Sequence, residues 1–220
     1  MTAISQAADD PAADETLELL RQGAADFLGA RQSGRRIRQL RDTPTGYERA
    51  FWRDMAGLGW LSARFAEDAG GLGLDCRQLA VLAGQMGAAL LPEPWIACAL
   101  MPSVLLQGAD DSPLRSRLCG AVQTGDALLT VAWQEEADQL EAEAELATEL
   151  RAAAGGYTLH GHKRFVPAFA GADGLLVSAR LRGEIVIVHL PLPAAGLGAT
   201  EQRLVDGSMA ADLVLDGVPV

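Results

Sequence analysis

The chain has 220 residues, 49% of them hydrophobic and 21% charged, with a net charge of −11 and three cysteines. That length allows one large domain or two modest ones around a substantial core. The acidic balance and the lack of a broad basic surface argue against nucleic acid as the main partner.

The first 14 residues, rich in Ala and Asp with one Pro, read as a mobile lead-in. They contain neither the basic n-region nor the apolar h-region of a secretory signal, and no run of about 18 apolar residues follows. The sequence therefore predicts no membrane span and a cytoplasmic location. A helical domain is expected over 15–125. Leu17, Leu20, Ala24, Phe27 and Leu28 share one helical stripe, and Phe51, Met55 and Leu58 repeat the pattern. The nearly all-apolar LDCRQLAVLAGQMGAALLP reads as a central helix covered on most sides, with Asp75 at its N-cap and Pro92 beyond its end. Pro102 predicts a kink or break in the next helix, and SPLRSRLCGAVQTG completes about five helices. Cys76, Cys98 and Cys119 are odd in number, far apart and set in helical patterns, so they read as buried thiols rather than a disulfide framework.

After Gly125 the period becomes that of strands. ALLTVAW, GYTLHGHKRFV, GLLVSARL, GEIVIVHL and ADLVLDGV are short β-type runs separated by Gly, Pro and Asp turn signals. Helices followed by strands, without βαβ alternation, give an α+β fold: an all-α domain and then a small antiparallel β-barrel or sandwich over 126–220. Between the first two runs lie seven acidic residues and no basic one, from Glu135 to Glu149. This stretch reads as a solvated connection, or as a docking surface for a basic partner.

Local motifs offer little chemistry. His160 and His162 share one face of a strand, but a zinc site normally needs three or four ligands and no third has convincing spacing, so no metal is expected. Gly70, Gly71 and Gly73 lack the lysine and hydroxyl of a phosphate-binding loop and follow helical sequence. They read as a loop that needs positive φ angles before Asp75. Ser62, Ser103, Ser178 and Ser208 all lack the flanking glycines of a nucleophile elbow.

Taken in order, the segments resemble the acyl-CoA dehydrogenase family. The resemblance lies first in Leu58-Gly59-Trp60, Glu67, Gly70-Gly71-Leu72-Gly73 and the apolar helix ending at Pro92, which look like that family's N-terminal helical domain. TVAWQEE, GGYTLHGHKRFV, GADGLLVSAR and LVDGSMAADLVLDGVPV look like its middle β-domain. The resemblance implies FAD as cofactor. Phe165 would be the aromatic that lies against the isoalloxazine ring, Val166 and Pro167 would continue that wall, and Trp133 and Gln134 would offer polar groups to the flavin's edge. Lys163, the only lysine, would support the hairpin rather than touch substrate.

Two departures stand out. The family's Gly-Ser-Asp turn is replaced near Glu136 to Glu141, and a threonine that follows the stacking aromatic in many members is Pro167 here. The resemblance also implies a second helical domain carrying the catalytic glutamate, and the sequence ends at DGVPV, where that domain would begin. Neither Glu67 nor Glu135 is placed to serve as the base, so no catalytic residue is assigned. The expected function is α,β-dehydrogenation of an acyl-CoA thioester by a shortened or split flavoprotein, weakly active or inactive alone. It would work with a homo-oligomeric or heteromeric partner that supplies the remaining helices. The alternative is a non-catalytic interaction module that keeps the fold without flavin.

Overall fold

The computed structural model describes residues 11–137 and 146–220. Residues 1–10 of the expected lead-in, and 138–145 of the acidic stretch, lie outside the described residues.

Two compact units are present. The first joins α1 (Pro11–Arg31) to α4 (Cys76–Ala88), and the short α2 (Gly34–Leu40) follows α1 in the chain. The α1 stripe is as expected: Ala24 and Leu28 are buried and Leu17, Leu20 and Phe27 half-buried, while most of their neighbours along the helix face solvent. Asp75 caps α4 in a reciprocal box, accepting from the Gln78 N–H at 2.8 Å while its own N–H donates to Gln78 Oε1 at 2.9 Å. Two expectations fail here. Of the α4 side chains only Leu82 and Met86 are buried, because the rest of its apolar content is mostly Ala and Gly, which offer little area to bury. Cys76 is exposed, since it is the first residue of the helix, just past the cap.

The second unit runs from Leu40 to Gly73 and from Pro92 to Val220. Its helix α3 (Arg49–Gly57) buries Phe51, Trp52 and Met55 and ends in a left-handed Gly59 at φ 77°. Trp95 Nε1 then donates to Trp60 O at 2.8 Å. A π-helical turn, Ile96–Leu100, precedes α5 (Met101–Gly108), whose first turn holds Pro102; this is the predicted break. The last helix of the unit, α6 (Pro113–Thr124), is capped by the Ser112 side chain and ends at Gly125, φ 74°.

The strands are β1 (Leu129–Ala132), β2 (Glu149–Ala153), β3 (Gly156–Pro167), β4 (Gly174–Leu181), β5 (Glu184–Pro191), β6 (Leu197–Arg203) and β7 (Met209–Pro219). They form one sheet in the order β1-β4-β2-β3-β7-β6, with β5 on the other edge of β4. The α+β class holds, and the sheet is mixed: most pairs are antiparallel, but β1 and β2 both run parallel to β4, one after the other along the same edge. Strand β4 is buried on both faces. Leu175, Val177 and Ala179 join Leu159, Val166, Leu213 and Leu215 in the sheet core. Leu176 packs on the other side with Leu129, Val131, Phe65, Leu106 and Val122, fastening α5 and α6 to the sheet.

Candidate functional site

Strand β3 breaks step with β7 at two points, between Leu159 and His160 and between Lys163 and Val166, and the second of these shapes the site. Lys163 pairs with Leu213 and Val166 with Ala211, so three steps on β3 answer two on β7, a β-bulge. The extra residue lets Lys163 and Val166 both face the core, while Arg164 stays half-buried and Phe165 remains 38% exposed. Phe165 has φ 50°, a conformation that a bulky side chain adopts only when its surroundings impose it. Those surroundings are visible. The Arg164 N–H donates to Gln134 O at 2.8 Å, and the Phe165 N–H donates to Asp212 Oδ1 at 3.0 Å. The Arg164 guanidinium stands 5.3 Å from the Phe165 ring centroid, with its Nε 3.6 Å from Asp212 Oδ2.

The structure therefore brings the main chain of Trp133 and Gln134 beside the bulge that presents Phe165. Trp133 and Gln134 are half-buried, and the Gln134 amide donates to Glu136 O at 2.9 Å. Val166 is 1% exposed and belongs to the sheet core, so its side chain faces away from Phe165. Pro167 is half-buried, and its carbonyl accepts from Thr130 Oγ1 at 2.7 Å.

Behind the bulge lies a buried polar node. Lys163 is 0% exposed, and its Nζ donates to Glu135 Oε1 at 2.7 Å, to Ser178 Oγ at 3.0 Å and to Trp133 O at 3.4 Å. Glu135, 3% exposed, also accepts from the N–H groups of Ala147 at 2.6 Å and Thr148 at 3.0 Å. Burial alone would raise the Glu135 carboxyl, but the hydrogen bonds from Lys163 and these amides outweigh it and hold the group below the usual carboxylate range. Burial pulls the Lys163 ammonium down, and Glu135 only partly restores it. Because the folded Glu135 is the stronger acid, its stabilising contribution is full above the unfolded carboxylate pKa and is lost as pH falls through the lower folded value. Glu135→Gln should therefore flatten the acid limb of a stability-versus-pH curve; an unchanged acid limb would rule Glu135 out as a source of that loss.

The sequence showed Lys163 as hairpin support but did not show its partner. A signal existed: with a strand period of two, Lys163 falls on the same side as buried Leu159, and a lysine facing a core calls for a carboxylate. Asp212, which holds the bulge, was not anticipated at all.

His160 and His162 each have a separate hydrogen-bond partner. His160 Nε2 lies 3.0 Å from Thr158 Oγ1 and His162 Nε2 lies 3.1 Å from Glu135 O. His189 sits on β5 opposite Leu176, and burial lowers its pKa, with Arg117 adding to the shift. Among the described residues no three His, Cys, Asp or Glu side chains are grouped as a metal site. No helix among the described residues is long and apolar enough to cross a membrane. In the glycine loop, Gly70 and Gly73 do take positive φ angles of 80° and 60°.

Comparison with known proteins gives likenesses of sequence and of fold. Residues 14–111 match the family described as acyl-CoA dehydrogenase, N-terminal domain. A benzylmalonyl-CoA dehydrogenase from Aromatoleum aromaticum is 27% identical over 165 residues, which are 71% of this chain and 43% of that protein. The Tcur3481–Tcur3483 steroid ACAD G363A variant superposes with a TM-score of 0.80 at 28% identity, over 94% of this chain and 56% of that one. The ChsE4–ChsE5 complex from Mycobacterium tuberculosis gives 0.80 at 22% identity over 94% and 55%, a likeness of fold. The chain thus spans about half the length of these relatives.

Proposed function

We propose that this chain, a member of the acyl-CoA dehydrogenase family, forms the flavin-facing wall and one side of the acyl pocket of an FAD-dependent acyl-CoA dehydrogenase in the cytoplasm. The observation that carries the reading is Phe165: an aromatic ring held out at a bulge, in a backbone conformation its neighbours enforce, next to the half-buried Trp133 and Gln134 that follow β1. A planar ring system is the natural partner for such a face, and offset stacking contributes about 0.5–1.5 kcal/mol beyond area burial. The donor set fits the same partner. Trp133 and Gln134 lie at the rim as half-buried residues, and Arg164 offers a cation beside the ring.

When bound, FAD supplies the hydride acceptor for dehydrogenation across the α and β carbons of an acyl thioester. The residues of this chain position it: Phe165 as the wall, Gln134 and Trp133 at the polar edge, and Asp212 fixing the bulge through the Phe165 N–H. Pro167 lacks the hydroxyl that could have added a contact there. The proton acceptor is proposed to come from further helices, in the same protein or in a partner subunit. Several fold neighbours are described as assemblies of two named chains, which supports a heteromeric partner.

Phe165→Ala tests the reading. It should weaken FAD binding roughly tenfold, the equivalent of about 1.4 kcal/mol, with little change in melting temperature because the ring is exposed. Equal FAD affinity in wild type and variant, by titration of flavin fluorescence, would remove Phe165 from the site.

A further inference from the structure

We propose that the buried Lys163–Glu135 pair is a positioning device that fixes the end of β1 against the bulge of β3, and so sets the place of Phe165 relative to Trp133 and Gln134. This rests on the flavin reading above. The reason lies in the sheet. The β1–β4 ladder ends at Ala132 opposite Val177, and β2 joins β4 only at Glu149 opposite Arg180. Trp133, Gln134 and Glu135 therefore run on past the last ladder pair. Side chains take over there: Lys163 Nζ holds Trp133 O and the Glu135 carboxylate, and also donates to Ser178 Oγ in that gap of β4. Beyond the gap, Glu135 receives the Ala147 and Thr148 amides at the approach to β2, while Thr148 Oγ1 donates to His162 O at 3.2 Å.

The clamp touches four strands or their extensions and lies one residue from Arg164, whose N–H binds Gln134 O, and two from Phe165. A well-packed apolar pair of similar volume is often at least as stable as a buried ion pair. An apolar side chain at 163 would fill the space but could not hold the Trp133 carbonyl just past β1. Lys163 and Glu135 are positioning residues; neither is placed against the cofactor.

The test is the double variant Lys163→Met/Glu135→Gln in the full chain. Methionine keeps much of the lysine's bulk, and glutamine keeps an acceptor for one of the two amides that Glu135 holds, Ala147 or Thr148, so the variant should still melt cooperatively. Two readouts follow: hydrogen exchange of the Arg164 amide by NMR without ligand, and the FAD dissociation constant. The expected results are exchange at least about tenfold faster at Arg164 and an FAD dissociation constant raised at least about tenfold, as misplacement of a site by a fraction of an ångström implies. Wild-type exchange and affinity in a folded double variant would overturn the proposal. A double variant that cannot fold would also overturn it, by showing the pair to be a requirement of folding alone. If the wild type takes up no FAD, the flavin reading fails by itself, and the Arg164 exchange rate still decides whether the pair positions the bulge.

Discussion

Lys163→Met alone should lower the unfolding free energy at pH 7 by about 3–5 kcal/mol, the usual cost of removing one partner from a buried ion pair. Methionine occupies much of the same volume, so packing accounts for little of the loss. The cost arises because the Glu135 carboxylate, 3% exposed, loses its paired ammonium and is left as a buried charge beside the Ala147 and Thr148 amides. Ser178 Oγ and Trp133 O lose a donor at the same time. The pH dependence separates this cause from a packing defect. Without the lysine the Glu135 pKa rises, so the variant's deficit should be greatest near neutral pH and shrink as pH falls and the carboxyl takes up a proton. Urea denaturation at pH 7 and at pH 5 measures both. A deficit below about 1 kcal/mol at pH 7, or one that is equal at the two values, would contradict a buried charge as its source.

Gly71→Ala should be the other severe change. A Cβ at Gly71 would lie 2.0 Å from the Phe65 carbonyl oxygen and 2.4 Å from its carbonyl carbon, backbone atoms that cannot turn aside. That same oxygen accepts the Gly73 N–H at 2.8 Å, and the Gly71 N–H donates to Ala66 O at 2.9 Å, so the loop cannot move outward without losing its own hydrogen bonds. Phe65 is fully buried in the cluster that joins α5 and α6 to β1. Overpacking of this kind costs about 1–3 kcal/mol and occasionally more, and a backbone clash belongs at or above the top of that range. Gly84→Ala, on the exposed face of α4 with nothing within 4 Å of its Cβ, is the control and should be neutral or slightly stabilising. If Gly71→Ala melts with the wild type, the close approach of this loop to Phe65 is wrong.

These two positions also mark how far the sequence could be read. The glycine loop was legible as a loop, and its positive φ angles at Gly70 and Gly73 follow from residue type, but the reason for Gly71 is a tertiary approach that no local pattern encodes. Strands with an alternating or continuous apolar pattern, such as β3, β4 and β7, were visible because burial imposes that pattern. Strands β2 and β6 were not, since nearly every side chain of ELRAA and LGATEQR is exposed or only half-buried. Parallel pairing of β1 with β4 was equally hidden. Both runs are short and apolar, and nothing in either states its direction.

At the site, aromatic Phe165 and Lys163 as a support of the hairpin could be singled out in advance through the family resemblance. The bulge that separates their directions depends on register against Leu213 and Ala211, half a hundred residues away. Val166 shows the consequence: adjacent in sequence to Phe165, it is returned to the core by the extra residue. The error about Cys76 has a different origin, since a helical apolar pattern does not reveal which turn is the first one outside the packed region.

The most direct measurement is the visible absorption spectrum of the purified chain after incubation with FAD and desalting, with Phe165→Ala treated in parallel. A flavin band retained by the wild type and lost or much reduced in the variant is the predicted result, and it would assign the wall at the β3 bulge to the cofactor. A folded wild-type chain that retains no flavin, both alone and with a partner subunit supplying further helices, would contradict the flavin reading and leave an interaction module built on the same fold.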